Sequence, residues 1–92
     1  MLPIAILFDG GPEPLSMLVE RQSPYIAAPR NGTTRNFKFV RALGAGDAVL
    51  IYKDEHLKLD SKAFDEWANK EADKYLHPEK YAALQGELQI GN

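Results

Sequence analysis

Aspartates that follow apolar runs are the first side chains of this sequence that could do chemistry. Asp9 comes directly after the apolar residues 3–8, and a carboxylate at a strand end can hold magnesium. Such a site needs more than one carboxylate, so Asp47 or Asp54 would have to end at the same edge of the sheet. A single carboxylate before two glycines is typical of a turn, and we interpret Asp9 as a turn residue.

Histidine and serine offer no better constellation. His56 and His77 are the only imidazoles, they are not at ligand spacing, and no HExxH pattern or cysteine accompanies them. Ser16, Ser23 and Ser61 are the only serines, and none lies in a nucleophile elbow. We therefore predict a protein that is not an enzyme and that uses neither a cofactor nor a metal.

One short string has a familiar pattern. Residues 44–48 spell Gly-Ala-Gly-Asp-Ala, which resembles the signature of ribokinase-like sugar kinases. In that family the glycines open an anion hole at a helix N-terminus and the aspartate acts as base. Here the apolar residues 49–52 follow, which are typical of a strand, so the helix N-terminus that would hold phosphate is missing. We interpret the string as a tight turn.

Charge is divided unevenly along the chain. Between residues 21 and 46 there are five positive side chains and no acidic one, whereas residues 54–92 hold nine acids against five lysines. We expect a basic sheet surface and an acidic helical surface, and a dipole of this kind usually faces a partner. The candidate binding residues are the cations of the first segment and the hairpin tip between them: Arg21, Arg30, Asn31, Gly32, Arg35, Lys38 and Arg41.

Length and composition indicate one ordinary globular domain. The chain has 92 residues, 45% of them apolar, and we predict a single domain over residues 1–92. There is no cysteine, which excludes disulfides, a thiol nucleophile and thiolate metal sites. The apolar run at residues 2–8 is too short to span a membrane and lacks the basic flank of a signal peptide. We therefore expect a cytoplasmic protein without membrane contact.

Five segments have the patterns of β-strands. Residues 3–8 and 48–52 are almost continuously apolar, as expected of strands buried on both faces. Residues 15–20, 25–28 and 35–42 are the other three, and flanking prolines favour an edge position for residues 25–28.

The connections within this segment carry signals of their own. Asn31-Gly32 predicts a tight hairpin, because both residues tolerate positive φ. The alternation of the following strand slips at Val40-Arg41, which indicates a bulge.

Helical patterns occupy the rest of the chain. Asp60 can cap a helix whose apolar side chains recur every three or four residues, namely Phe64, Trp67, Ala68, Ala72, Tyr75 and Leu76. A second helix is predicted over residues 78–85, and residues 88–90 are either a frayed tail or a short added strand. The predicted fold is α+β: an antiparallel meander of about five short strands over residues 1–53, packed against a C-terminal helical pair within the mainly helical residues 54–92.

Three functional hypotheses follow. The first is a small non-enzymatic domain that binds another protein through its basic sheet surface; compact, cysteine-free proteins of this size are common among the accessory and inhibitor proteins of phages and mobile elements. The second is a single-stranded nucleic-acid binder, in which Tyr25, Phe37 and Phe39 stack bases between the cations. The third is a structural subunit of a homo-oligomer, joined through residues 25–28 or 88–90.

Overall fold

Five strands form one sheet, with a helix against it, in a computed structural model that describes residues 2–79. The elements in chain order are β1 (Ile4–Phe8), β2 (Leu15–Leu18), β3 (Tyr25–Arg30), β4 (Thr33–Leu43), β5 (Val49–Asp54) and α1 (Ser61–Leu76). The sheet order is β2-β1-β5-β4-β3. The α+β class is therefore confirmed, and among the residues described no helix is long and apolar enough to cross a membrane.

The predicted antiparallel meander is wrong in one pairing. β1 and β5 run parallel, from Ile4 opposite Val49 to Phe8 opposite Lys53, whereas the other pairs are antiparallel. The two most apolar strands both need a neighbour on each side, and pairing them with each other places both inside the sheet. A parallel pair needs a long crossover, which β2, β3 and β4 supply.

The predicted helical pair is not shown: α1 is the one complete α-helix of residues 2–79, and residues 78–79, where the second helix was predicted to begin, are helical. The second predicted helix, residues 78–85, falls mostly outside the described residues, and residues 88–90 fall outside them entirely.

α1 covers one face of β1 and β5. Its buried side chains Phe64, Ala68 and Ala72 pack against Ile6 and Ile51 of the two strands. The alanines are small, so the helix axis can approach the sheet closely. The helix begins where it was predicted, because the carboxylate of its N-cap accepts a hydrogen bond of 3.1 Å from a main-chain N–H in the first turn, Asp60 to Ala63.

The opposite face of the sheet has a core of its own, although α1 does not lie on it. Leu7, Phe37, Leu50 and Tyr52 are fully buried there. A flat sheet of this order would hold its edge strands about 19 Å apart. Residues 19–24 nevertheless join the two edges directly, so the sheet curls and its own strands and this connection close over the face.

Tyr52 fixes that connection in place. Its hydroxyl donates to the main-chain oxygen of Ser23 at 2.7 Å and accepts from the Ser23 N–H at 3.1 Å. Phe39 packs edge-on against the Tyr52 ring with 5.5 Å between centroids. The central strand therefore anchors the segment that crosses from β2 to β3.

Two local predictions on β4 are confirmed. The β3–β4 hairpin turns through Asn31 (φ 52°) and Gly32 (φ 80°), the positive values that a type I′ turn requires. The register between β4 and β5 shifts between Phe39 and Arg41, at the predicted bulge.

The string at residues 44–48 forms a turn, as expected. Ala45–Asp47 is a short 3₁₀ segment, and the Asp47 N–H donates to the Gly44 oxygen at 3.2 Å. β5 follows directly, so these residues lead into a strand and not into the N-terminus of a helix.

Candidate interaction surface

Arg30, one of the predicted contact residues, is engaged inside the fold. Its Nε donates to Oδ2 of Asp9 at 2.7 Å, and its Nη2 donates to the main-chain oxygen of Glu13 at 3.0 Å. Asp9 also accepts a hydrogen bond from the Gly11 N–H at 2.9 Å, which is the turn role predicted for it. Arg30 thus ties the end of β3 to the loop after β1.

Arg35 pairs with the most deeply buried carboxylate of the described residues. Its Nη1 lies 2.7 Å from Oδ2 of Asp54, whose side chain is 2% exposed, while Arg35 itself keeps 46% of its side chain exposed. The other oxygen of Asp54 accepts from the His56 N–H at 3.0 Å. Both oxygens of the buried carboxylate are therefore satisfied.

Arg41 makes the third pair, with Asp65 of α1. Both side chains are partly exposed, so this pair joins the helix to β4 at the surface. In contrast, Arg21 and Lys38 are exposed and have no ion pair with any residue of the described chain. Most of the predicted basic surface is therefore neutralised by aspartates of the same molecule.

The two inner aspartates are held ionised. The hydrogen bond from Arg30 lowers the pKa of Asp9 below its ordinary value, against the opposing effect of burial. For Asp54 burial raises the pKa most strongly among the single causes, but hydrogen bonds from the His56 N–H and from Arg35 together outweigh it and lower the pKa. Both carboxylates are therefore expected to stay charged well into the acidic range.

The same two aspartates end neighbouring parallel strands, which was the condition set for a magnesium site. Phe8 and Lys53 are register partners, so Asp9 and Asp54 follow at the same edge of the sheet. Each carboxylate already bonds an arginine, and Asp47 lies at the start of β5 instead of its end. Residues 2–79 contain no group of three or more side chains placed to hold a metal.

The predicted contact residues do not form one continuous surface. The hairpin end brings Arg30, Asn31, Gly32 and Arg35 together, since Ala28 pairs with Arg35 and the turn follows. Lys38 lies farther along β4 on the side of the sheet that α1 occupies, because its register partner Lys53 lies over the Phe64 ring. The other two are separate: Arg21 in the β2–β3 connection and Arg41 beside α1.

One face of the β3–β4 hairpin is a second candidate surface, which the distribution of charge along the sequence does not indicate. Within residues 2–79, α1 packs on β1 and β5, and the side chains on the same side of β3 and of residues 34–38 of β4 stay exposed. Tyr25 lies opposite Lys38 and is 50% exposed. We call this surface the hairpin face; its side chains, all exposed, are Tyr25, Ala27, Pro29, Thr34, Asn36 and Lys38.

Alternation along the two strands is the signal that could have found this face. A period of two places Phe37 and Phe39 on one side of β4 and Asn36 and Lys38 on the other. What was missing was the position of the helix, which decides which side of the hairpin is covered.

Comparison with protein families, with curated proteins and with solved structures finds no match for this chain. No relative therefore suggests a ligand or a partner, and a functional conclusion depends on the arrangement of the residues themselves.

Proposed function

We propose that the protein is a small non-enzymatic domain that binds another protein, in the manner of an interaction or inhibitor protein, and that the hairpin face is its contact surface. The observation that carries the proposal is a sheet face that no other part of residues 2–79 covers, with a half-exposed tyrosine, Tyr25, at one end of it. Tyrosine is enriched at the energetic centres of protein interfaces, where it contributes a large rigid area and a hydroxyl. Thr34 and Asn36 supply the polar groups that usually surround such a centre.

The cations keep a role in this proposal, but a smaller one than the sequence alone indicated. Lys38 belongs to the hairpin face, and Arg35 keeps nearly half of its side chain exposed. Charges at the rim of an interface mainly raise the rate of association with an acidic partner. Arg30 and Arg41 instead hold structural elements together.

The nucleic-acid alternative receives less support from the same geometry. Phe37 is 0% exposed and Phe39 packs against Tyr52, so two of the three expected stacking rings belong to the core. The three paired arginines have little charge left for phosphates. Fluorescence anisotropy with labelled single-stranded DNA and RNA at about 50 and 200 mM salt separates the hypotheses, because phosphate binding weakens steeply with salt. Tight, salt-sensitive binding would favour the nucleic-acid hypothesis over the protein-binding proposal.

A homo-oligomer joined through β3 is disfavoured by its proline. The Phe39 N–H donates to the Pro24 oxygen at 3.0 Å, so the main chain of Pro24 faces β4. Inward and outward positions alternate along an antiparallel strand, and the main-chain groups of Ala27 and Pro29 therefore face away from the sheet. Pro29 has no N–H to donate at that edge, and proline is a common protection of edge strands.

A photo-crosslinking amino acid placed at one position at a time tests the proposed surface. Benzoylphenylalanine in place of Tyr25 is expected to capture one discrete protein in the cells that produce this chain. The same group in place of Asn69, exposed on α1, serves as the control and is expected to capture none. Equal capture at both positions, or none at position 25, would contradict the proposal.

A further inference from the structure

The outer edge of β2 presents unpaired main-chain groups. The Val19 N–H bonds the Pro3 oxygen at 3.1 Å, and Ala5 pairs with Met17. Because inward and outward positions alternate along an antiparallel strand, Ser16 and Leu18 point their N–H and C=O groups away from the sheet. No strand of the described chain pairs with this edge.

This edge lacks the protection that Pro29 gives the other one. Between Leu15 and Val19 there is no proline and no charged side chain. Leu18 is 64% exposed, the highest value among the large hydrophobic side chains of the described residues. Beside it lies a shallow groove of about 200 Å³, lined by Ile4, Ser16, Met17, Leu18 and Tyr75. Both the main chain and the side chains of β2 are thus suited to pairing with another strand.

We propose that the occupant is a second copy of this chain, whose β2 pairs antiparallel with this one about a two-fold axis at Met17. In that register Ser16 of one copy exchanges both main-chain hydrogen bonds with Leu18 of the other. The two exposed leucines then cover each other diagonally across the axis, next to the groove.

Charge complementarity selects this occupant and this register. Glu13 and Arg21 stand four residues before and four residues after Met17. Antiparallel pairing centred on Met17 therefore places the bend of each copy that holds Glu13 near the bend of the other that holds Arg21, once at each end. Both side chains are exposed, and neither has an ion pair within residues 2–79. A parallel arrangement would instead place like charges together.

The dimer does not depend on the proposed function, because no residue of the hairpin face takes part in the pairing of the two β2 strands. It would leave both hairpin faces free and make the assembly bivalent, which raises avidity for a partner with repeated sites.

Sedimentation equilibrium of the full chain over a roughly hundredfold range of concentration tests the dimer. The mass is expected to rise from 10.3 kDa toward twice that value. Leu18→Lys should raise the dimer dissociation constant by about tenfold or more, because it puts two lysines beside the axis. Ala27→Lys places the same charge at the matched position of the β3 edge and should leave the constant unchanged.

Charge reversal tests the register. Arg21→Glu should weaken the dimer, and the double variant Glu13→Arg with Arg21→Glu should restore it, since the ion pairs return with their order exchanged. A monomer at every concentration, a dimer indifferent to Leu18→Lys, or a double reversal that fails to rescue would each overturn the proposal. A monomer whose Ser16 and Leu18 amides resist hydrogen exchange would assign this edge to residues 80–92 of the same chain, and would overturn it as well.

Discussion

Arg30 at the end of β3 donates to Asp9 after β1 over 2.7 Å, although β5 and β4 lie between these strands in the sheet. In a flat sheet the two strands would be about 14 Å apart. The ion pair can therefore form only because the sheet curls. It stabilises the curled sheet at the end where β1, β3 and β5 finish. Arg30 reinforces this closure by bonding the Glu13 oxygen in the loop after β1.

Breaking this pair is expected to destabilise the fold. Asp9→Ala and Arg30→Ala should each lower the free energy of unfolding by about 1–3 kcal/mol, because both side chains are mostly buried and the partner is left without its charge-assisted bond. Urea unfolding of the two single variants and the double variant gives the coupling between them.

The Arg41–Asp65 pair is the matched control, since it joins the same residue types at a more exposed position. Its coupling should lie at or below about 1 kcal/mol. Equal couplings for the two pairs would show that Asp9 and Arg30 do not close the sheet in the way described.

Stability should fall at acidic pH because of Asp9 and Asp54. Folding lowers the pKa of both carboxyl groups, so the unfolded chain binds more protons than the native chain once the pH nears the ordinary value of about 3.9. The contribution is complete above that pH and is lost as the pH drops through the lower native pKa. Urea unfolding between about pH 7 and pH 2 measures this loss, and Asp9→Asn with Asp54→Asn should flatten it. Parallel curves for the wild type and the double variant would contradict the assignment.

Phe37 and Lys38 are adjacent on β4 but should respond very differently to truncation. Phe37→Ala removes a fully buried ring and is expected to cost about 3–5 kcal/mol. Lys38→Ala changes an exposed side chain and should stay within about 0.5 kcal/mol. Thermal unfolding of both variants is the measurement, and a small effect at Phe37 would mean that the ring is free to meet a ligand.

Tyr52→Phe should loosen the segment that crosses the second core. The substitution removes the hydroxyl that both donates to and accepts from Ser23, at a cost of about 1–3 kcal/mol. Faster hydrogen exchange at the Ser23 amide is expected in addition. Tyr25→Phe, whose hydroxyl belongs to an exposed ring, is the control; a comparable loss there would show that the Tyr52 contacts are not special.

The elements that could be predicted from sequence are those decided within a few residues. Asn31-Gly32 specifies its turn because of the φ values it tolerates, and Asp60 specifies a helix start because its carboxylate reaches Ala63. The slip at Val40-Arg41 marks the bulge because it interrupts a period of two. Each of these signals is local, so no knowledge of the sheet order is needed.

The pairings between distant segments could not be predicted in this way. The parallel contact of β1 with β5 joins segments about forty residues apart, and hydrophobic pattern alone does not choose between a parallel and an antiparallel neighbour. The same limit applies to the candidate surface. The arginines formed a basic cluster in sequence, yet Asp9, Asp54 and Asp65 neutralise three of them from other elements.

The most direct test of the hairpin face as a protein-binding surface measures how tightly this chain and its variants bind the protein that crosslinks at position 25. Isothermal titration calorimetry with Tyr25→Ala should show a loss of affinity of roughly thirtyfold or more, as expected of an interface centre. Tyr75→Ala, which removes an exposed tyrosine of α1 beside β2, should leave the affinity unchanged, and thermal unfolding confirms that both variants are folded. Undiminished affinity in Tyr25→Ala, or an equal loss in Tyr75→Ala, would contradict the proposed surface.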